Sequence, residues 1–225
     1  MLGTLRLPLI LLLAGSPSSA AGTNIGISAA AAASGGLRHA REGRVSWQVV
    51  RWMTPPSVAG AVVGGLYGHD VPKTALLAGT AAVLFWNGVD LLVRPLRATR
   101  PAVRPRLAPA ILFGFAIGVV GGALGVILGT LRVPALLRGV GLSAREAVGT
   151  NLVVGFALGV FGLVAHAARL EVEWRLLAVG VPGGLSGAWL GARLPARMSE
   201  LALRRALGVA LLAIAAAFAI ELFVT

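Results

Sequence analysis

Long apolar stretches, separated by short polar or basic segments, run along almost the whole chain. A helix needs about 20 mainly apolar residues to cross a bilayer. Stretches of this kind lie at 18–37, 46–68, 74–93, 107–130, 144–167, 175–194 and 200–223, with shorter apolar pieces near 7–14 and 133–141. The pattern predicts an all-α polytopic membrane protein of about seven to eight transmembrane helices, with 94–106 as a basic Pro/Arg linker.

The two parts of the chain on either side of this linker repeat each other. GTLRLP at 3–8 recurs as GTLRVP at 129–134, and AAGTN at 20–24 recurs as AVGTN at 147–151. From there the halves align without a gap at an offset of 127 residues, with 14 identities over 48 positions. Matched His, Trp and Pro residues do not arise easily from Ala/Gly richness. The repeat predicts two transmembrane units, 1–93 and 107–225, with a site between them, as in many transporters.

The first repeat is expected to be truncated at its N-terminus, because 107–127 has no counterpart before Leu2. Either the true start lies upstream or most of one span has been lost. Met1–Ala20 also imitates a secretory signal peptide, with one arginine, an apolar run and small residues at its end. The same register recurs at 129–147 in mid-chain, so we expect the segment to be retained in the mature protein.

Composition agrees with a membrane location. The chain is 57% hydrophobic and 12% charged, with a mean hydropathy of +0.86, which is too apolar for the surface of a soluble domain. The net charge of +12 comes from arginines clustered between apolar spans, without the interleaved aromatic residues of a nucleic-acid surface. We therefore expect the protein to contact the lipid bilayer and not to bind nucleic acid. The sequence leaves open whether it forms a homo-oligomer. No cysteine is present, so disulfides and thiolate metal sites are excluded.

The orientation is only weakly encoded. The linker carries five arginines and is placed in the cytoplasm, together with the loop RHAREGR at 38–44. With simply alternating spans, four other arginines would then fall on the outside: Arg193, Arg197, Arg204 and Arg205. A re-entrant hairpin at 107–141 would change this alternation.

Candidate chemistry concentrates in the paired GTN and GT-L-R-x-P words. A GTN at the start of an apolar helix would offer unpaired N–H groups, a hydroxyl and a carboxamide to a small anion. Two such ends facing each other would form a site between the halves. The predicted substrate-binding residues are Thr23, Asn24, Thr150, Asn151, Gly121, Gly122, Arg6 and Arg132. The alternative is structural: threonine N-caps, asparagine helix contacts and arginines that reach the headgroups.

A family resemblance rests on three of these segments. The run GFAIGVVGGALGVILGTLRVPALL, then AVGTN, then GGLSGAWLGARL, resembles the sulfite exporter TauE/SafE-like family of membrane permeases. The resemblance covers nearly the whole chain and implies passage of a small anionic substrate such as sulfite, sulfonates or related sulfur compounds, without a cofactor. GTLR replaces the usual glycine run before the proline in both halves. A non-transporting scaffold or a truncated inactive permease is the alternative.

The remaining polar residues suggest weaker hypotheses. His39 and His166 occupy equivalent helix ends, where they could relay protons or simply lie at the interface. Asp90 lies near a span end, either solvated, paired with Asn87 or paired with Arg51, which could instead reach the headgroups.

An enzyme is not expected. Gly184-Leu185-Ser186-Gly187 matches the GxSG of rhomboid proteases. No histidine base follows it in the chain, and no metal-site motif is present.

Overall fold

The computed structural model describes residue 10 and residues 13–14, 16–67, 73–93, 105–124, 129–191 and 198–224. These residues form eight α-helices and a π-helix, so the all-α prediction is confirmed. The helices are α1 (Pro17–Arg41), α2 (Trp47–Tyr67), α3 (Lys73–Val93), α4 (Leu107–Leu124), α5 (Gly129–Pro134), α6 (Ala144–Ala168), α7 (Trp174–Gly191) and α8 (Glu200–Val224). The π-helix, Ala135–Val140, directly continues α5.

Three pairs of helices begin 127 residues apart: α1 and α6, α2 and α7, and α3 and α8. The capping residues follow the same spacing. Ser16 caps α1 by accepting a hydrogen bond from the Ser19 N–H, with Pro17 in the first helical turn. Ser143 caps α6 through a capping box with Glu146. The helix starts are therefore set locally, by serine hydroxyls that satisfy otherwise unpaired N–H groups.

Two of these three pairs, α1 with α6 and α3 with α8, pack against each other in opposite directions. Where a Cβ is placed on Gly22 of α1, it meets His166 near the end of α6, and one on Gly149 of α6 meets His39 near the end of α1. Gly88 of α3 and Gly208 of α8 approach closely in a second antiparallel pair. Contacts of this kind are expected when two halves are inserted in opposite orientations, as in inverted-repeat transporters.

The predicted single span 107–130 is wrong, because α4 ends at Leu124 and a separate short helix starts at Gly129. The chain then returns to the beginning of α4, where the Arg106 N–H donates to the Val140 carbonyl at 3.1 Å. Residues 107–140 thus begin and end at the same level. The short return passes through a six-residue α-helix and a π-helix, an irregularity that often marks functional sites.

This return changes which helix ends lie together. Helices α2, α4 and α6 run in the same direction, as successive contacts of α4 and α6 with α2 show. The Arg145 guanidinium donates to the Met198 carbonyl at 2.6 Å, which puts the start of α8 at this same end. Arg205 in α8 therefore lies toward the same end of the helices as the loop 42–46, contrary to simple alternation. Arg193 and Arg197 lie outside the described residues.

One helix in the described ranges, Ala144–Ala168, is long enough and apolar enough to cross a membrane. The core around it is divided into several apolar clusters. One joins Val49 and Met53 of α2 to Leu136 and Val140 of the return segment. Another joins Val133 to Leu203 and Leu207 of α8. The short return segment is thus packed inside the helical body.

Candidate functional site

The two GTN threonines make equivalent contacts across the halves. The Thr23 hydroxyl accepts a hydrogen bond from the Glu173 N–H at 2.8 Å, just before α7 begins. The Thr150 hydroxyl accepts one from the Ser46 N–H at 3.0 Å, just before α2 begins. Both threonines are completely buried. Each half therefore supplies the acceptor for a helix entry of the other half, at positions that follow the 127-residue offset.

The glycines of the GTN words make room for these contacts. A Cβ on Gly22 would overlap the Glu171 carbonyl, and one on Gly149 would overlap the Arg44 carbonyl. The loop backbone reaches the threonine hydroxyl only because no side chain stands in its way. The repeated Gly-Thr dipeptide therefore has the same structural role in both halves: the glycine leaves room for the loop backbone, and the threonine hydroxyl accepts a hydrogen bond from it.

The expected unpaired N–H groups do not occur at GTN. α1 begins at Pro17 and α6 at Ala144, so each GTN lies well inside its helix. The N–H groups of Thr150 and Asn151 lie beyond the first turn, in the region of regular i→i−4 bonding. The hypothesis of two facing helix N-termini at GTN is wrong, because the Ser16 and Ser143 caps start both helices earlier. Binding by GTN side chains stays a prediction.

Arg132 and Asn151 form the polar centre of the second half. The Arg132 guanidinium donates to Asn151 Oδ1 at 2.9 Å and approaches the Asn151 carbonyl at 3.5 Å. Arg132 is only 1% exposed, and its Nε has no hydrogen-bond partner. No ion pair joins it to a carboxylate within the described parts of the chain. A buried positive charge held by one neutral carboxamide is an unusual and costly arrangement.

Two residues next to Arg132 extend this polar centre. Thr130 on α5 is 4% exposed, and its hydroxyl oxygen is buried without a partner. A Cβ on Gly129 would lie 3.1 Å from Nδ2 of Asn151, so the start of α5 abuts the carboxamide. Thr130 was not among the predicted site residues, although it lies within the repeated GTLR word.

The other four predicted site residues lie on α1, on α4 or outside the described residues. Asn24, the counterpart of Asn151, is 4% exposed in α1. Gly121 lies half-buried near the end of α4. Gly122 belongs to the same helix, but its surroundings are outside the described part of the structure, and Arg6 lies outside the described residues altogether. For these four residues the binding role stays a prediction.

The ionisable residues near helix ends are paired differently in the two halves. Asp90 of α3 forms an ion pair with Arg138 of the π-helix, and Asn87 Oδ1 accepts a hydrogen bond from the same guanidinium at 3.0 Å. Asp90 is therefore neutralised by Arg138, neither by solvent nor by Arg51. His166 Nδ1 lies 2.9 Å from Glu171 Oε2, whereas both ring nitrogens of the equivalent His39 are buried without a partner.

Ser186 shows no sign of activation as a nucleophile. Its hydroxyl donates to the Pro182 carbonyl, at 2.9 Å, one turn earlier in α7. This is a common way for a serine in an apolar helix to satisfy its hydroxyl.

The sequence of this chain is similar to those of known proteins. Residues 2–218 match the family model described as Sulfite exporter TauE/SafE. The chain is similar to a "Probable membrane transporter protein" of Xylella fastidiosa (strain 9a5c), with 30% identity covering 94% of this chain and 84% of the relative. It is also similar to "Probable membrane transporter protein YdhB" of Bacillus subtilis (strain 168), with 27% identity covering 84% and 79% of the two chains. No solved structure gave a significant match.

Proposed function

This chain is a membrane transporter of the sulfite exporter TauE/SafE family, and we propose that it carries small anions, chiefly sulfite or sulfonates, past a site centred on Arg132 and Asn151. The single observation behind this proposal is the buried Arg132 guanidinium, which has no carboxylate partner in the described structure. A sulfur oxyanion would supply the missing negative charge. Its oxygens would also accept from the free Nε and from the Thr130 hydroxyl.

The location of Arg132 supports transport rather than a surface role. It lies in the short return after α4, eight residues before the Val140 carbonyl that meets Arg106 at the helix end. Transporter sites commonly lie near the membrane midplane, where broken helices meet at the interface of inverted repeats. The polar groups of α5 and α6 fit that arrangement.

Charge favours an anion over a cation as the transported species. Asp90 already pairs with Arg138, and it lies three residues before the end of α3. No cluster of three or more acidic or histidine residues able to hold a metal ion occurs in the described structure. Electrostatics at Arg132 would repel a cation.

We further propose that the protein resides in a cell membrane with the basic helix ends in the cytoplasm. The end that carries the loop 42–46 also carries Arg41, Arg106, Arg145 and Arg205. At the opposite end, the arginines among the described residues are Arg169 and Arg175. An excess of arginine in short loops identifies the cytoplasmic side.

Flux into proteoliposomes tests the transport proposal. The assay compares sulfite, sulfoacetate and a small carboxylate for the wild type, Arg132→Gln, Arg132→Lys and the exposed control Arg169→Gln. We expect sulfite flux to fall at least ten-fold in Arg132→Gln, to be partly retained in Arg132→Lys, and to be unchanged in Arg169→Gln, since charge-assisted hydrogen bonds are about twice as strong as neutral ones.

Thermal stability distinguishes a binding role from a purely structural one. Because an uncompensated buried charge costs free energy, Arg132→Gln should melt at the same temperature as the wild type or higher. Sulfite should raise the melting temperature of the wild type and not that of Arg132→Gln. Normal flux in Arg132→Gln would refute the site. Absence of flux for all three anions in the wild type would favour a scaffold or an inactive permease.

A further inference from the structure

A surface groove between α2 and α6 has no role in the proposed anion path. It has a volume of about 660 Å³ and is lined on α2 by Val50, Arg51, Thr54, Pro55, Val58 and Ala59. The α6 wall is wholly apolar: Val153, Phe156, Ala157 and Phe161. A groove of this kind on a membrane helix pair is filled by lipid chains or by a ligand.

The polar groups of the groove are confined to one end. Arg51 lies one turn into α2, is exposed, and makes no hydrogen bond or ion pair with any described residue. The Thr54 hydroxyl, one turn deeper, is buried without a partner. Pro55 has no N–H, so the Arg51 carbonyl also lacks its helical donor. This end therefore offers a free positive charge together with a backbone carbonyl oxygen that lacks its helical donor.

Aromatic residues indicate the depth of this polar end. Trp47 and Trp52 flank Arg51 and are 60% and 48% exposed. Exposed tryptophans concentrate at the level of the lipid headgroups. From Val50 to Ala59 the helix rises by about 14 Å, close to the hydrocarbon thickness of one leaflet, about 15 Å.

From these observations we infer that the α2–α6 groove binds an anionic phospholipid, with its phosphate at Arg51 and one acyl chain along the apolar walls. The groove lies at the basic end of the helices, where negative headgroups are attracted. The unpaired carbonyl beside Arg51 can accept a hydrogen bond from a headgroup that carries hydroxyls, such as phosphatidylglycerol. The site is distinct from Arg132 and does not depend on which anion is transported.

The equivalent helix pair in the other half provides the internal control. Ala178 and Val181 of α7 stand where α2 has Arg51 and Thr54. Gly180 and Gly184 of α7 also lie close against Ile27 of α1, leaving no space for a chain. Of these two equivalent helix pairs, only α2–α6 has both the arginine and the space for an acyl chain.

Native mass spectrometry of the purified full-length chain tests this inference, with phosphatidylglycerol and phosphatidylcholine of identical acyl chains as probes. Wild type should retain phosphatidylglycerol preferentially. Arg51→Gln should reduce this preference about five-fold, because one arginine near a membrane surface contributes about 1 kcal/mol. Ala59→Trp should reduce retention of both lipids by filling the groove. The controls Arg175→Gln and Ala178→Trp, on exposed positions of α7, should behave as wild type.

Three results would overturn the inference. The first is an unchanged phosphatidylglycerol preference in Arg51→Gln, and the second is equal losses in Arg51→Gln and Arg175→Gln, which would indicate general charge attraction. The third is loss of sulfite flux in Ala59→Trp with normal lipid retention, which would assign the groove to the substrate. Each variant is first checked for the wild-type melting temperature, so that misfolding is not read as lost binding.

Discussion

Helices α2 and α7 occupy equivalent places in the two halves, yet they pack on different faces. α2 lies against α4, with Gly60 under the backbone of Phe115 and Gly114 beside Met53. α7 lies instead against α1, through Gly180 and Gly184. The face of α7 that corresponds to Gly60 carries Gly183, Gly187 and Gly191, and no described atom comes within 4 Å of a Cβ placed there.

The difference shows how glycine placement selects the neighbour of a helix. Val153 of α6 stands where the other half has Gly26, and its side chain lines the groove that separates α2 from α6. At the position shared by Gly60 and Gly187, both halves keep the glycine, but among the described residues only Gly60 has a close neighbour on another helix. Matched substitutions at equivalent positions can therefore show which packing contacts the two halves have in common and which occur in one half alone.

The largest effect is expected for Gly60→Ala. Its Cβ would overlap the Phe115 carbonyl and lie 3.0 Å from the Val119 nitrogen, and these are backbone atoms that cannot rotate away. The free energy of unfolding should fall by about 1–3 kcal/mol or more. The matched variant Gly187→Ala has open space and should melt like the wild type.

Thermal melting in detergent, followed by size-exclusion chromatography, compares this pair directly. Equal melting of Gly60→Ala and wild type would contradict the α2–α4 packing. Strong destabilisation by Gly187→Ala would show instead that this face of α7 is covered in the folded protein.

An intermediate effect is expected for Thr23→Val and Thr150→Val, and here the two halves should agree. Each change removes a buried acceptor and leaves the N–H of Glu173 or Ser46 unpaired, at a cost of about 1–3 kcal/mol. The control is Thr74→Val, at an exposed position in the first turn of α3. The melting temperatures of the two variants should fall by similar amounts. A large fall for only one of them would break the equivalence of the two contacts.

Much of the helical framework follows from the apolar stretches alone. The predicted span 46–68 differs from α2 by one residue at each end, and the predicted span 144–167 differs from α6 by one residue at its C-terminal end. Loop polarity and the capping serine define these ends. The return of the chain after α4 was considered only as the alternative of a re-entrant hairpin at 107–141, since the apolar run gives no sign of where the direction reverses. The opposite direction of the halves was not predicted, because a sequence repeat carries no information about orientation.

The candidate site was predicted only in part. The repeated words singled out Arg132 and Asn151, which do contact each other. The repeated words did not indicate that the Thr150 hydroxyl accepts a hydrogen bond from the Ser46 N–H, because that partner is distant in sequence. The pairing of Asp90 with Arg138 was missed for the same reason: it depends on the return segment running back along the helices.

The smallest effect concerns the residues that follow α1 and α6. Gly43 and Leu170 are equivalent, and both adopt a left-handed conformation, with φ of 68° and 59°. Glycine adopts this conformation without strain, whereas leucine does not, and Leu170 is 89% exposed, so its side chain gains little by packing. Leu170→Gly should therefore stabilise the protein by about 0.5–1 kcal/mol, after subtraction of the entropy that glycine loses on folding. Gly43→Leu should destabilise it by a similar amount, since nothing near Gly43 would compensate for the strain. The expected rise for Leu170→Gly is about 1–4 °C in melting temperature. A fall in melting temperature for Leu170→Gly would mean that the leucine side chain makes a stabilising contact in the membrane. The ends of α1 and α6 would then differ in their contacts as well as in their sequence.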